Sequence, residues 1–344
     1  LTTAAVPLPA RTAVTLLVFM AAVAAATAGY IFKKEIPPGA VAPAFAAFVI
    51  LLVPFLGFGL PDVAGAFRAA ASRGPAGPAG LVALVAVPPA AALVAARGAG
   101  GLPAAGGLLV YAAVPALLGL LASRRGEPPG LLDAAAVLAA WLPVELGALG
   151  GAWAVDGADP SYVLGKVMSV SVLLTALAAV RPLGGIGYAW RLRLEDLGVA
   201  LASLAAFLVL ALPYALASGF VVFEPRPVSV GGILYRFLAV GLLIALPEEI
   251  LFRGAIFNLL QRWTAGRQGP MPALLLSSVI FGVSHMNNFP YLLPDLDLRY
   301  TLLATWAGVC YGWCYLKTGN LTAGILTHTA VDVIHRVVFT FPKG

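Results

Sequence analysis

The sequence predicts an all-α fold, a polytopic transmembrane helical bundle of about eleven spans (range nine to eleven). Three observations carry that reading. Of the 344 residues, 61% are hydrophobic, and the mean hydropathy is +0.95. Only 21 Lys+Arg and 15 Asp+Glu are present, 10% of the chain, against the roughly one quarter that keeps the surface of a soluble domain wet. The apolar residues come in runs of about 20, which is enough helix to cross a hydrocarbon core about 30 Å thick. A cytosolic enzyme, a disordered chain and a nucleic-acid binder are excluded. The net charge of +6 comes from cations scattered between apolar runs, as in membrane loops, and not from a basic patch.

In chain order the spans are predicted at 12–32, 40–60, 78–96, 102–122, 131–154, 161–180, 197–218, 230–261, 271–290, 299–316 and 319–340. The first follows a lone Arg11, and a cleaved signal peptide is its alternative reading. Pro88-Pro89 interrupts the third and Gly106-Gly107 thins the fourth, so either is a candidate for a re-entrant or merged segment. Cys310 and Cys314 lie inside an apolar run without further thiols and read as small packing residues. His335 and Arg336, near the end of the last span, read as interfacial anchors. Composition changes near residue 197. Residues 1–196 are Ala/Gly/Pro-rich transmembrane helices of unknown role, and residues 197–344 hold nearly all the unusual polar groups. An integral, multi-pass protein of a bacterial inner membrane is expected, with the lipid bilayer as its first partner and no nucleic acid.

A charge at mid-bilayer costs about 2.5–3.5 kcal/mol, so acids inside a span call for a reason. The eighth span carries Glu248, Glu249 and Arg253. Glu249 and Arg253, four apart on one stripe with the acid first, are placed to pair. Glu248 points about 100° away around the axis and is left without such a partner. Pro247 removes a backbone donor and is expected to kink the helix. A pair that merely pins two helices together is the structural reading of Glu249 and Arg253. The ninth span places Phe281 and His285 on one face, where a lone histidine is more often a hydrogen-bonded core residue. The eleventh places His328 and Asp332 four apart, able to hydrogen-bond each other or to converge on one point. Three helices thus offer Glu, Glu, Arg, His, His and Asp to a shared cavity, a set able to activate water and bind a developing oxyanion. No Gly-x-Ser-x-Gly elbow argues for an acyl-enzyme.

With these residues the chain resembles the CPBP intramembrane proteases, the family of the eukaryotic CAAX prenyl endopeptidase and of bacteriocin-processing or immunity-associated relatives. The motif Glu-Glu-x-x-x-Arg matches Glu248, Glu249 and Arg253, followed by Gly254. Phe-x-x-x-His matches Phe281 and His285, and His-x-x-x-Asn is similar to His328 through Asp332. The likeness covers roughly 197–340, the catalytic core by this reading. It implies a glutamate-type intramembrane endopeptidase with Glu248 as the base that activates water and His285 as its partner. It also implies His328 and residue 332 at the oxyanion, with Glu249, Arg253 and Phe281 supporting. Asp332 stands where Asn is commoner. A carboxylate donates no hydrogen bond unless protonated, so the alternative is that Asp332 orients His328.

The resemblance implies no cofactor; zinc on Glu249, His285 and His328 is the alternative. The expected substrate is a membrane-anchored or lipid-embedded peptide or protein, such as a sorting signal, a bacteriocin leader or an anti-sigma-type membrane protein. Two other classes compete. An ion-coupled transporter predicts internal pseudo-repeats, and none is visible. A non-catalytic immunity or scaffold protein of the same fold predicts loss of the polar motif residues, and almost all are present.

Overall fold

The architecture comes from a computed structural model, which describes residues 8–126, 128–155, 158–186, 188–264, 269–286 and 298–342. These fall into two compact units, residues 1–189 and residues 190–344. The first unit is α1 (Ala10–Lys33), α2 (Pro38–Gly57), α3 (Pro61–Ala71), α4 (Ala76–Arg97), α5 (Leu102–Arg124), α6 (Leu131–Glu145) and α7 (Ser161–Val180). The second is α8 (Leu194–Ala217), β1 (Val222–Phe223), α9 (Val230–Thr264), α10 (Met271–Val283), α11 (Leu298–Thr318), α12 (Thr322–Val338) and β2 (Phe339–Thr340).

Each of the eleven predicted spans holds a helix among the described residues, and the fold is a helical membrane bundle. By length and composition, six helical stretches among the described residues are apolar enough to cross a bilayer, among them Ala76–Arg124, which holds both α4 and α5. Three expectations need correction. The helix expected over 131–154 stops at Glu145, and its 15 residues reach about 22 Å, short of the hydrocarbon thickness. Pro88-Pro89 and Gly106-Gly107 make neither a re-entrant nor a merged segment, for α4 and α5 run through them as separate helices. A 3-10 turn over Gly98–Gly101 joins the two, and Gly98 takes φ +59°, open to a residue without Cβ. The short α3 was not anticipated. Its 11 residues are too few to span, and it lies inward through Val63, Ala64 and Phe67, the last against Phe58 at 4.7 Å between ring centroids. Residues 287–290 of the ninth predicted span lie outside the described residues.

Inside the first unit, several buried polar groups are matched. Arg181 Nε donates to Asp133 at 3.1 Å, and the indole of buried Trp153 donates to Pro89 O at 2.9 Å. Tyr188 donates to Phe55 O.

In the second unit α8 starts at Leu194 because Asp196 accepts from the Arg193 N–H at 2.8 Å, an N-terminal cap. Large apolar side chains point outward along the bundle, including Leu201 at 67% and Val209 at 70% exposed on α8. Such a surface suits lipid, not water. The interior is built from small residues instead, as membrane helix contacts require. Gly308 and Gly312 of α11 face α10. A Cβ on Gly308 would lie 3.0 Å from Ser278 Cα, and one on Gly312 would collide with Leu274. Thr327 of α12 donates to Ala200 O of α8 at 3.2 Å, and Ser203 of α8 donates to Cys310 O of α11 at 3.0 Å. Cys310 and Cys314 are free thiols packed in this interior.

The long α9 is not a regular helix. Two π-helical stretches, Gly241–Ala245 and Ile250–Phe257, flank one α-helical turn, Leu246–Glu249. Pro247 has no N–H to give, and the wider turns accommodate the loss without a break in the helix. At the far end of the bundle β1 and β2 pair antiparallel, Val222 with Thr340 and Phe223 with Phe339.

Candidate active site

The α-helical turn between the two π stretches carries Glu248 and Glu249. Glu249 is wholly buried and Arg253 is 1% exposed. Arg253 Nη1 donates to Glu249 Oε1 at 3.0 Å and Nη2 to Gly308 O at 2.9 Å. The guanidinium also lies over the Phe281 ring at 4.5 Å and the Tyr311 ring at 5.3 Å, two cation–π contacts away from water. The pairing expected from the four-residue spacing is therefore formed, and it ties α9 to α10 and α11.

Glu249 has a second partner that the sequence did not announce. His328 Nδ1, from α12, lies 3.0 Å from the same Oε1. With Arg253 already on that oxygen, Glu249 is the acceptor, so Nδ1 carries the proton and Nε2 is left to give or take one. Nε2 faces two further carboxylates, Glu248 Oε2 at 3.7 Å and Asp332 Oδ1 at 4.0 Å. The expectation that Glu248 stands without a partner is thereby corrected. So is the suggestion that Asp332 orients His328: at 4.0 Å it makes no hydrogen bond, whereas Glu249 does. Asp332 instead turns its other oxygen toward Arg336 Nη2, 3.8 Å away.

The imidazole of His328 is fixed from its faces too. Tyr311 stacks on it with centroids 4.6 Å apart and planes 15° from parallel, and Phe281 meets it edge-on at 5.9 Å. Phe281 also packs against His285 at 4.6 Å and Phe252 at 4.9 Å. His285 Nδ1 lies 2.7 Å from Phe281 O, and its ring meets Tyr300 at 5.2 Å. Tyr311 escaped the sequence reading because it is uncharged in an apolar run. Gly308-x-x-x-Gly312 around it, a spacing that marks a close helix contact, is the signal that could have found it.

A cavity of about 380 Å³ opens beside these groups. Phe281, His285, Tyr300, Tyr311, His328 and Asp332 line it at one end, and Phe207, Ala211, Phe220, Phe339 and Phe341 line the other. His335 and Arg336, expected to be interfacial anchors, line it as well, because α12 turns that face toward the cavity. Chemically, the arrangement sets one oriented imidazole and the Asp332 carboxylate against a largely apolar chamber, with Glu248 3.7 Å from that imidazole.

Zinc on Glu249, His285 and His328 does not suit this geometry. Glu249 Oε1 already holds a guanidinium and an imidazole N–H, and a cation at 3.0 Å opposes a second one. Among the described residues no group of three His, Cys, Asp or Glu is disposed to hold a metal ion.

Residues 230–334, which include every one of the predicted site residues, match the family described as type II CAAX prenyl endopeptidase Rce1-like. The UPF0177 protein YxdF of Lactococcus lactis subsp. lactis (strain IL1403) is 30% identical over 101 residues, 29% of this chain and 48% of that protein. The chain thus matches about half the length of this curated relative. No solved structure matches the chain. The match over 230–334 falls on the helices that carry the three motifs, and this part of the chain is similar to the CAAX-type intramembrane proteases.

Proposed function

We propose that the chain is an intramembrane endopeptidase that hydrolyses a peptide bond of a membrane-anchored or lipid-embedded substrate, in a bacterial inner membrane, with water as the nucleophile and no metal. The observation that carries this reading is the one imidazole, His328, held through Nδ1 by Glu249 at 3.0 Å while its Nε2 faces Glu248 at 3.7 Å beside an apolar cavity. Glu248, 15% exposed in its side chain and 3.7 Å from Nε2, acts as the base. It takes one proton as the water oxygen adds to the scissile carbonyl. The negative charge that develops on the carbonyl oxygen is met by a proton on His328 Nε2, and collapse of the tetrahedral species sends the Glu248 proton to the departing amine. His328 acts as the imidazolium: Glu249 accepts its Nδ1–H at 3.0 Å and, with Arg253, fixes the orientation of the ring, which leaves the Nε2–H for the oxyanion. His285 lines the same cavity and is the second imidazole within reach of a bound peptide. The apolar end of the cavity suits an apolar stretch of substrate.

The test uses purified protein in proteoliposomes with a library of lipid-anchored fluorogenic peptides, products being identified by mass spectrometry. Glu248→Gln is expected to lower kcat by about 10²–10⁴-fold, the usual worth of a positioned base, with the thermal unfolding curve unchanged. Wild-type turnover in that variant would reject the assigned base.

A further inference from the structure

We infer that Arg336 is a positioning residue: it holds Asp332 off the Nε2 of His328 and so keeps that nitrogen available to the reaction. The inference rests on the hydrolytic reading above and deepens it.

Three carboxylates surround one imidazole here. Glu249 has its own cation in Arg253 and takes Nδ1. Glu248 and Asp332 are left facing the same Nε2, at 3.7 and 4.0 Å. Two acceptors cannot both have one proton, and the base in the proposed reaction is Glu248. Asp332 Oδ1 is a few tenths of an ångström beyond hydrogen-bonding reach of Nε2. A small rotation of this short side chain would close the gap and fasten His328 to Asp332.

The restraint on that rotation is Arg336, one turn further along α12, whose Nη2 lies 3.8 Å from Asp332 Oδ2. The acid-before-base order at a four-residue spacing is the favourable one on a helix. Nearby, Arg226 Nη1 donates to the backbone carbonyl of Arg336 at 3.4 Å.

The experiment compares Arg336→Met, Arg336→Lys, Asp332→Asn and Asp332→Asn/Arg336→Met in the proteoliposome assay, with Glu248→Gln in parallel. Arg336→Met is expected to lower kcat about five- to tenfold with KM unchanged, a modest factor because the Arg336 side chain is 50% exposed and its pairing is screened. Arg336→Lys restores most of the loss. In the Asp332→Asn background, where nothing competes for Nε2, Arg336→Met has no further effect on kcat. The inference is overturned if Arg336→Met turns over like wild type, if it costs the same factor with and without Asp332, or if Asp332→Asn alone is inactive. Should Arg336→Met fail to fold, Arg336→Gln carries the same comparison. An active Glu248→Gln sinks the hydrolytic reading; an inactive Glu248→Gln beside an unaffected Arg336→Met sinks this inference alone.

Discussion

Replacing Arg253 by Met separates a pin between helices from a part of the chemistry. Met keeps the apolar stem and deletes the guanidinium, and with it the bond to Glu249 at 3.0 Å, the bond to Gly308 O at 2.9 Å and the contact with the Phe281 ring at 4.5 Å. Glu249, wholly buried, then keeps only His328 as a hydrogen-bond donor among the described residues. A charge-assisted hydrogen bond is worth about 1.5–3 kcal/mol and a desolvated cation–π contact about 0.5–2 kcal/mol. Orphaning a buried charge by removing its partner costs about 3–5 kcal/mol as measured in other proteins, and the two estimates overlap. Arg253→Met is therefore expected to lose about 3–5 kcal/mol in reversible unfolding in detergent micelles. The double variant Glu249→Gln/Arg253→Met buries no charge and should regain at least half of that loss, while kcat stays depressed because His328 has lost its charged acceptor. A single variant within about 1 kcal/mol of wild type, or a double variant less stable than Arg253→Met, would refute the argument.

Other outcomes follow from the same geometry. A Cβ on Gly324 would lie 3.2 Å from both Glu249 Oε2 and Tyr311 O, so Gly324→Ala should cost about 1–3 kcal/mol in unfolding and lower kcat about tenfold by displacing Glu249. Exhaustive chelation should leave peptide turnover intact; activity that is lost and returns only with zinc would move the reaction to a metal. Serine at both Cys310 and Cys314 should leave kcat unchanged and cost about 1 kcal/mol or less at each site, since Thr327 Oγ1 already stands 3.5 Å from Cys314 Sγ; a loss of activity in that variant would give the thiols a part in the site.

The sequence discloses the helices and the stripes upon them, and much less of how those stripes face one another. Glu249 and Arg253 pair as their spacing demands because both partners sit on one helix and the rule is local. The bond between Glu249 and His328 joins residues 79 apart in the chain, and no periodicity reports which helix a stripe meets. Asp332 shows the same limit from the other side. Its four-residue spacing suits His328 on one turn and Arg336 on the next, and only the structure shows that it stands between the two, 4.0 Å from one and 3.8 Å from the other. The eleven helices were legible in composition, but their ends were not. Apolar residues continue past Glu145, where the helix stops, because hydropathy records the surroundings of a residue and not its backbone conformation.

The two wide turns of α9 carry a consequence for how such a site can be lost. Each i→i+5 bond encloses one residue more than an α-turn, and one residue is about 100° of winding. The direction in which Glu248 and Glu249 project is therefore set by winding on both sides of them, not only by their own identities. Losing a single residue from Gly241–Ala245 would let that stretch relax into ordinary helix and swing the carboxylates by roughly a quarter-turn relative to one end of the rod. Every motif residue would still be present, and a search for the motifs would still find them. A one-codon deletion could thus silence the centre and leave its signature intact.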